Sequence, residues 1–277
     1  MKNTVVLYHS NCPDGFGAAW AAWKKFGNRA DYIAVNPGIL PKKTLKNKEI
    51  YVLDNSYPEK IVKKLKRENK SIIIIDHHIS ARKDVKSASS FVFDLKHSGA
   101  VLAWRYFNPK KKVPRFLLHI EDFDLWKFKL PHTREVDILL ELIEFNFRAW
   151  DTLAREMGNP RRREIKFREA ALLGRYKYRL INKIVESAEL VSFAGKKTLA
   201  VNSPIFSSEI GNLLCRKLPP IGIVWRSENG KITVSLRSNG KADASKIAKR
   251  FGGGGHKASA GFGLSRNAKF PWKSLNS

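Results

Sequence analysis

The sequence predicts an α/β fold: an N-terminal domain with a doubly wound, mostly parallel sheet, a helical connector, and a smaller C-terminal α/β domain. In the first half, continuous apolar runs rich in β-branched residues alternate with helical patterns, which is typical of a parallel sheet covered on both faces. In the last third, strand patterns follow one another and a hairpin signal joins two of them. The predicted boundaries are 1–150 for the first domain, 151–192 for the connector and 193–277 for the second domain.

The first domain is predicted to contain buried strands with helices between them. Each strand is an apolar run that ends in polar residues, and each helix carries apolar residues at helical spacing. Gly27 after the first helix and Pro58 before the second are residue types preferred at those helix ends. The predicted strands are residues 4–9, 49–56 and 71–76, and the predicted helices are residues 15–27 and 58–69.

The rear of the chain changes its pattern twice. Residues 135–190 are predicted to be helical, with a break at 158–169 where Gly158 and Pro160 interrupt the periodicity. Strands, a short helix and a glycine-rich segment follow. The strands are residues 196–203, 221–227 and 231–238 with a hairpin turn at 228–230, the helix is 243–251, and the glycine-rich segment is 252–262.

Polar side chains stand where the predicted strands of the first domain end. His9, Asp54 and Asp76 lie at or just after three strand ends, and Asp14 follows His9 in the loop before a helix. Ligands of open α/β sheets bind beyond the carboxyl ends of the strands. We therefore expect these side chains to converge on one edge of the sheet.

This set of side chains has the composition of a metal centre. Carboxylate oxygens suit hard divalent cations, and added imidazoles such as His77 favour Mn or Fe over Mg alone. Two neighbouring cations need a bridging carboxylate and several further ligands, which Asp122 or Asp124 would help to supply. Taken singly, a strand-end aspartate more often caps a helix. Taken together, the acids and histidines favour metal binding.

Three segments resemble the DHH phosphoesterase superfamily and its DHHA1 domain. IDHH at 75–78 is similar to the superfamily signature, and VSLRS at 234–238 and GGGGHKASAGF at 252–262 are similar to DHHA1 segments, in the same order along the chain. The resemblance implies a two-domain phosphohydrolase that uses two divalent cations, usually Mn²⁺, with Mg²⁺ or another divalent metal as alternatives.

The resemblance also implies roles for individual residues. Asp76 and His78 are the expected catalytic residues, with His78 facing the substrate phosphate, and Asp54 is expected to bridge the metals. Asp122 matches the fourth motif best, and Asp124 is the other candidate. The implied metal ligands are His9, Asp14, Asp54, Asp76, His77 and Asp122.

Cys12 is a departure from the superfamily pattern. It stands in YHSNCPDGFGAAW where the first of two aspartates is expected, and Asp14 fits the second. A deprotonated cysteine would shift metal preference toward Zn or Fe. We expect instead that Cys12 is packed, that water or substrate completes the coordination, and that one of the two metal sites is weaker.

The glycine-rich segment is predicted to bind substrate. Glycine lacks Cβ, so its backbone N–H groups can approach a phosphate closely. A neighbouring histidine and lysine add positive charge, and an arginine offers a bidentate fork for phosphate. The predicted substrate-binding residues are Arg237, Gly253, Gly254, Gly255, His256 and Lys257.

The charge of the chain predicts a polyanionic partner. Lysine and arginine number 52 against 25 acidic residues, a formal net charge of +27. Such an excess attracts polyphosphates. The charge favours short single-stranded RNA or DNA as the substrate, and the resemblance to the superfamily implies that it is cleaved from an end. The alternatives are a small phosphate compound (a nucleotide bisphosphate, a cyclic dinucleotide or polyphosphate) and a nucleic-acid-binding protein whose chemistry has decayed.

The cellular setting is predicted from what the composition lacks. The two cysteines, Cys12 and Cys215, are too few for a disulfide scaffold. No apolar stretch approaches the ~20 residues that span a bilayer. We therefore expect a soluble, cytoplasmic protein without a membrane partner.

Overall fold

The computed structural model describes residues 2–228 and 230–275. The chain forms two compact units, one extending to Gly174 and the other beginning at Arg175. The predicted fold class is confirmed: a parallel sheet with helices is followed by a second unit with its own sheet. The residues predicted as a connector, 151–192, divide between the two units.

The sheet of the first unit is entirely parallel. Over the described residues its strand order is β2-β1-β3-β4-β5. The strands at the two edges were not predicted, because their partly exposed sequences lack a continuous apolar run. The strands are β1 (Thr4–His9), β2 (Ala30–Val35), β3 (Glu49–Leu53), β4 (Ser71–Asp76) and β5 (Ser90–Phe93).

Both faces of this sheet are buried, which explains the continuous apolar runs. Val6, Leu53 and Ile75 belong to the hydrophobic core on one face, whereas Leu7 and Ile74 belong to the core on the other. Alternate residues of a strand point to opposite faces, so a strand covered on both sides must be apolar at every position. The buried central strands β1 and β4 end at His9 and Asp76, so these polar side chains lie at the carboxyl edge of the sheet.

Helices cover the sheet and extend the first unit. The predicted break at 158–169 is wrong in its extent: only Asn159 separates α6 from α7, and Pro160 begins α7, where its missing N–H costs no helical hydrogen bond. The helices are α1 (Pro13–Phe26), α2 (Glu59–Glu68), α3 (Gly99–Phe107), α4 (Arg115–Asp124), α5 (Thr133–Glu141), α6 (Phe147–Gly158) and α7 (Pro160–Glu186), with short 3₁₀ helices at Gly27–Arg29, Ile79–Ala81 and Asp84–Ser87.

The second unit is built on a mixed sheet. Its order over the described residues is β10-β11-β9-β8-β7-β6-β12, and the β7–β8 pair is parallel. The predicted hairpin is confirmed by the pairing of Glu228 with Lys231, whereas Asn229 in its turn lies outside the described residues. The elements are β6 (Glu189–Phe193), β7 (Lys196–Asn202), α8 (Ser207–Lys217), β8 (Ile221–Glu228), β9 (Lys231–Ser238), α9 (Ala244–Lys249), β10 (Gly254–Gly255), β11 (Ser259–Ser265) and β12 (Trp272–Ser274).

Among the helices of the described residues, none combines the length and the apolar composition that a membrane crossing needs.

Candidate metal centre

The candidate site lies at the carboxyl edge of the first sheet. His9 is the last residue of β1, Asp54 follows β3, and Asp76 is the last residue of β4. The chain adds strands to one side of β1 and then to the other, and α/β folds bind ligands at such a switch in strand order. Asp54 has a positive φ of 51°, a conformation that non-glycine residues adopt mainly at turns and functional sites.

Three carboxylates converge on the imidazole of His77. Its Nε2 lies 3.2 Å from Asp54 Oδ1, 3.6 Å from Asp14 Oδ2 and 3.6 Å from Asp124 Oδ2. Asp14 and Asp54 are almost fully buried, and His77 is 7% exposed. The predicted convergence of strand-end side chains thus brings together a buried, acid-rich cluster.

The start of α3 holds Asp14 in place. Asp14 Oδ2 accepts a hydrogen bond from the Gly99 N–H (2.6 Å), and its Oδ1 accepts one from the Ala100 N–H (2.9 Å). The positive end of the helix dipole favours the carboxylate there. A Cβ on Gly99 would lie 2.6 Å from Asp54 Cβ and 3.0 Å from Asp14 Oδ2. Only glycine fits this position, and nothing in the sequence pattern had indicated it.

Asp76 organises the backbone and ring that follow it. Its Oδ1 accepts hydrogen bonds from the backbone N–H groups of His77 (2.7 Å) and His78 (3.1 Å) and lies 2.7 Å from His78 Nδ1. The His78 ring is therefore fixed beside the cluster, with its Nδ1 3.8 Å from Asp54 Oδ1. This arrangement leaves the second Asp76 oxygen buried and without a hydrogen-bond partner among the described residues.

Asp122 is not brought into the cluster, and Asp124 takes that place. The Asp122 carboxylate accepts hydrogen bonds from the N–H groups of Lys129 (2.9 Å) and Leu130 (3.0 Å) and from the Thr133 hydroxyl (2.6 Å). It anchors the loop between α4 and α5. Residues two apart on a helix point about 200° away from each other, so one aspartate faces the cluster and the other faces away. The geometry therefore replaces Asp122 with Asp124 as the candidate ligand.

His9 and Cys12 lie on the other side of Asp54. His9 Nδ1 is 3.3 Å from Asp54 Oδ2. One ligand atom each of His9, Cys12 and Asp54 lie within 4.8 Å of one another. The same holds for Asp14, His77 and Asp124, so Asp54 stands between two groups of possible ligands.

The electrostatics of the cluster show an excess of negative charge. Burial raises the pKa of Asp14 well above its ordinary value, and the neighbouring carboxylates of Asp54 and Asp124 raise it further. Asp124 keeps an exposed edge, but desolvation of its carboxyl group raises its pKa to about 6. Burial alone would lower the pKa of His77, yet its contact with Asp54 and the surrounding carboxylates raise it to about 10. For Asp54, the histidine contacts outweigh burial and lower the pKa.

The cluster fits a divalent cation. Asp76 Oδ2 is buried and has no hydrogen-bond partner within the described residues. Asp54 Oδ1 and His77 Nε2 are also buried and face one another at 3.2 Å, in a charged contact that lacks hydrogen-bond geometry. Unpaired buried polar atoms are costly, and a cation bound by several carboxylates would satisfy them. Carboxylate and imidazole ligands together suit Mn²⁺ among the hard divalent ions.

A small cavity of about 50 Å³ adjoins the cluster. Cys12, Asp14 and Asp124 line one side, and Phe123 and Val136 contribute to an apolar side. The aromatic surface continues outward, because the ring of Phe123 lies 5.5 Å from that of Trp126, which is 40% exposed. The acids thus border a small cavity whose other side is apolar.

The predicted substrate-binding residues of the second unit share one region of its sheet. The β9–β11 register pairs Arg237 with Ser259, and Gly255 pairs with the adjacent Ala260. Two of the glycines are constrained: a Cβ on Gly253 would lie 2.1 Å from the carbonyl oxygen of Gly261, and Gly255 has a φ of 133°, whereas a Cβ on Gly254 would meet no atom within 4 Å. Arg237 is held by a hydrogen bond from Nη2 to the hydroxyl of Ser208 on α8 (2.6 Å).

Two comparisons identify relatives of this chain. The DHHA1 domain family matches residues 192–271. The protein R106 of Acanthamoeba polyphaga mimivirus is 32% identical over 289 aligned positions, covering 94% of this chain and 67% of the viral protein.

Solved structures of low identity share the fold. The DHH domain of a protein described as a member of a ribosomal protein family has a TM-score of 0.61 at 14% identity, covering 94% of this chain and 82% of that one. An exopolyphosphatase-related protein from Bacteroides fragilis has a TM-score of 0.57 at 15% identity, covering 97% of this chain and 88% of that one. PggH, a pGpG-specific phosphodiesterase from Vibrio cholerae, has a TM-score of 0.52 at 13% identity, covering 95% of this chain and 94% of that one.

The fold and the acidic cluster define a two-unit α/β protein of phosphoesterase type. The chain belongs to the DHH/DHHA1 phosphoesterase superfamily. Its members are hydrolases that generally use divalent metals.

Proposed function

We propose that this protein hydrolyses phosphodiester bonds in short single-stranded RNA or DNA from one end, with two divalent cations, Mn²⁺ foremost. One observation carries the proposal of hydrolysis. The carboxylates of Asp14, Asp54 and Asp124 surround His77 Nε2, and buried atoms of this cluster lack hydrogen-bond partners in the described part of the chain.

The residues divide the work between holding cations and holding phosphate. Asp14, His77 and Asp124 would hold one cation, His9 would hold the other, and Asp54 would contribute to both. Bound divalent cations supply Lewis-acid polarisation of a phosphoryl oxygen and of the attacking water. His78 is fixed by Asp76 and would donate a hydrogen bond to a phosphoryl oxygen as negative charge develops there.

Charge supports an oligonucleotide over a small phosphate compound. Residues 151–277 contain 25 basic and 9 acidic residues, a net charge of +16 well removed in sequence from the cluster. A polyanion extended beyond the scissile phosphate would use such a surface, because each neutralised phosphate adds affinity. Arg237 and the glycine segment would then hold a phosphate remote from the bond being cleaved.

The alternatives act on phosphate linkages too. Two proteins that share the fold are described as a pGpG-specific phosphodiesterase and as exopolyphosphatase-related, so a dinucleotide and polyphosphate belong in any substrate panel. A nucleic-acid-binding protein that has lost its catalytic activity is disfavoured. Loss of activity would be expected to allow substitution of the carboxylates, which here lie within 3.6 Å of His77 Nε2.

The experiment is a hydrolysis panel with added Mn²⁺. It contains end-labelled RNA and DNA oligomers, a nucleotide bisphosphate, a cyclic dinucleotide and polyphosphate, with Asp124→Asn as the matched inactive control. Cleavage of oligomers by the wild type alone supports the proposal and reveals the end attacked. Cleavage of only a small phosphate compound would make that compound, rather than an oligonucleotide, the substrate. Salt-sensitive oligomer binding without hydrolysis would refute the enzymatic proposal.

A further inference from the structure

Cys12 lies beside two side chains that can bind a cation. It is half-buried and immediately precedes α1. Its Sγ, one ring nitrogen of His9 and one carboxylate oxygen of Asp54 lie within 4.8 Å of one another. Cys215, the other cysteine of the chain, lies in the second unit, where its Sγ is 3.2 Å from the carbonyl oxygen of Pro220.

The separations suit a common ion. Sulfur, nitrogen and oxygen ligands lie about 2.0–2.3 Å from a tetrahedral Zn²⁺ and therefore about 3.5 Å from one another. Atoms already within 4.8 Å reach that spacing through side-chain adjustments of about 1 Å. No large backbone movement is needed to close the three ligands around a cation.

The two oxygens of Asp54 face different sides of the cluster. Asp54 is 2% exposed, and its Oδ1 lies 3.2 Å from His77 Nε2 in the other group. Its Oδ2 contacts His9 on the Cys12 side. A carboxylate buried in this way is expected to be paired or bound to a metal. A cation placed between His9, Cys12 and Asp54 would pair this carboxylate on the Cys12 side.

We propose that Cys12, with His9 and Asp54, binds the cation on the β1 side of the cluster, and that its sulfur gives this site a stronger preference for Zn²⁺ over Mn²⁺. Thiolate is a soft ligand that favours Zn²⁺, whereas carboxylates accept Mn²⁺ and Mg²⁺. The second group, Asp14, His77 and Asp124, has no sulfur and keeps a harder character. The protein would then hold two unlike cations a short distance apart.

The proposal differs from the expectation that water or substrate replaces the missing aspartate. It rests on the proposed function only in placing divalent cations at this sheet edge. Metal binding can be measured without substrate, so the two proposals can fail separately.

The first test is cobalt spectroscopy on the full chain after removal of metals with a chelator. Co²⁺ is added alone, and the thiolate-to-cobalt charge-transfer band in the near ultraviolet is recorded. We expect the band in the wild type and in Cys215→Ser, and its loss in Cys12→Ser and Cys12→Asp. Absence of the band in the wild type, or its persistence in Cys12→Ser, would overturn the proposal. Thermal unfolding verifies that each variant is folded.

The second test compares affinities for Zn²⁺ and Mn²⁺ by competition. Cys12→Asp restores the oxygen ligand of the superfamily pattern, so it retains a site and changes only its softness. We expect the Zn²⁺-to-Mn²⁺ affinity ratio to fall at least about tenfold, since loss of even an outer partner costs a metal site that much. An unchanged ratio would refute the role of sulfur.

The outcomes separate the two proposals. Hydrolysis of oligomers by a wild type that shows no thiolate band would leave the proposed function standing and refute the cysteine ligand. A thiolate band without any hydrolysis would do the reverse.

Discussion

Replacing Gly99 with alanine should disable the cluster through a single methyl group. The added Cβ would lie 2.6 Å from Asp54 Cβ, 2.9 Å from Asp54 Oδ1 and 3.0 Å from Asp14 Oδ2. Ordinary carbon–carbon contacts are about 3.5–4.0 Å, so the shortest contact falls about 1 Å short. The methyl group must therefore push Asp54, shift the start of α3, or do both.

The expected loss follows from that displacement. A misplacement of about 1 Å in a reacting site can cost a hundredfold in rate, equivalent to about 2.7 kcal/mol of transition-state stabilisation. A shift of α3 would also weaken the two N–H hydrogen bonds to Asp14. Because crowding a packed site costs about 1–3 kcal/mol of stability, the folded fraction must be measured alongside the rate.

The assay compares Gly99→Ala with Gly174→Ala. A Cβ on Gly174 would also be crowded, at 2.7 Å from Ile138 Cδ1, but it meets no carboxylate. Hydrolysis and Mn²⁺ affinity are measured at a temperature where both variants are folded. We expect Gly99→Ala to lose activity about a hundredfold while Gly174→Ala keeps it. Equal activity in the two variants would refute the view that Gly99 sets the spacing of Asp14 and Asp54.

Three further predictions concern the neighbouring loop and helix. Asp122→Asn should lower the free energy of unfolding by about 2 kcal/mol, because the hydrogen bonds to its charged carboxylate are lost. Asp124→Asn should keep the stability of the wild type and lose hydrolytic activity about 100-fold or more. The opposite pattern would reverse the roles assigned to the two aspartates. Burial lowers the pKa of His119 to about 4, so the neutral form is favoured in the folded state. The neutral form contributes at most about 3 kcal/mol to the free energy of unfolding. This contribution is complete above about pH 6.5, the pKa of histidine in the unfolded chain, and is lost as the pH falls toward 4. When the free energy of unfolding is measured with denaturant at several pH values, its dependence on pH should be weaker in His119→Gln than in the wild type. Trp126→Ala should raise KM for oligonucleotides about 5- to 150-fold, because base stacking on the indole ring is lost. KM for polyphosphate, which has no bases, should not change. A parallel rise of both KM values would exclude stacking.

Strand-end residues were predictable because two signals coincide there. Four consecutive isoleucines before Asp76 indicate a buried strand, and the direction of a parallel sheet then fixes the edge at which the strand ends. The same reasoning located His9 and Asp54. Position in the chain was sufficient for these residues because the strand itself determines where its last side chain lies.

The choice between Asp122 and Asp124 could not be made from the sequence. Both stand in the last turn of α4, and which side of that turn faces the cluster depends on how α4 packs. The contribution of Gly99 was hidden for a similar reason. Its backbone N–H and its missing Cβ act on Asp14 from 85 positions away in the chain, and no local pattern reports such a contact.

The edge strands and the helical region show the same limit. β2 was missed because its side chains are only partly covered, so the apolar run that marks a central strand is absent. The predicted break around Pro160 was too long, since proline at the first position of a helix begins it as readily as it interrupts one. Local residue preference cannot separate these two cases without the neighbouring turn.

The cations proposed for the cluster around His77 would also stabilise the folded chain. Without them, burial and the carboxylates of Asp54 and Asp124 raise the pKa of Asp14, so bringing these groups together costs free energy in the native state. By thermodynamic linkage, an ion that binds only the folded chain adds about 2.7 kcal/mol of stability at a hundred times its dissociation constant. The cluster joins segments as far apart in the chain as Asp14 and Asp124, so a bound ion would act as a non-covalent cross-link within the first unit. A chelator should therefore lower the melting temperature of this unit even when no substrate is present.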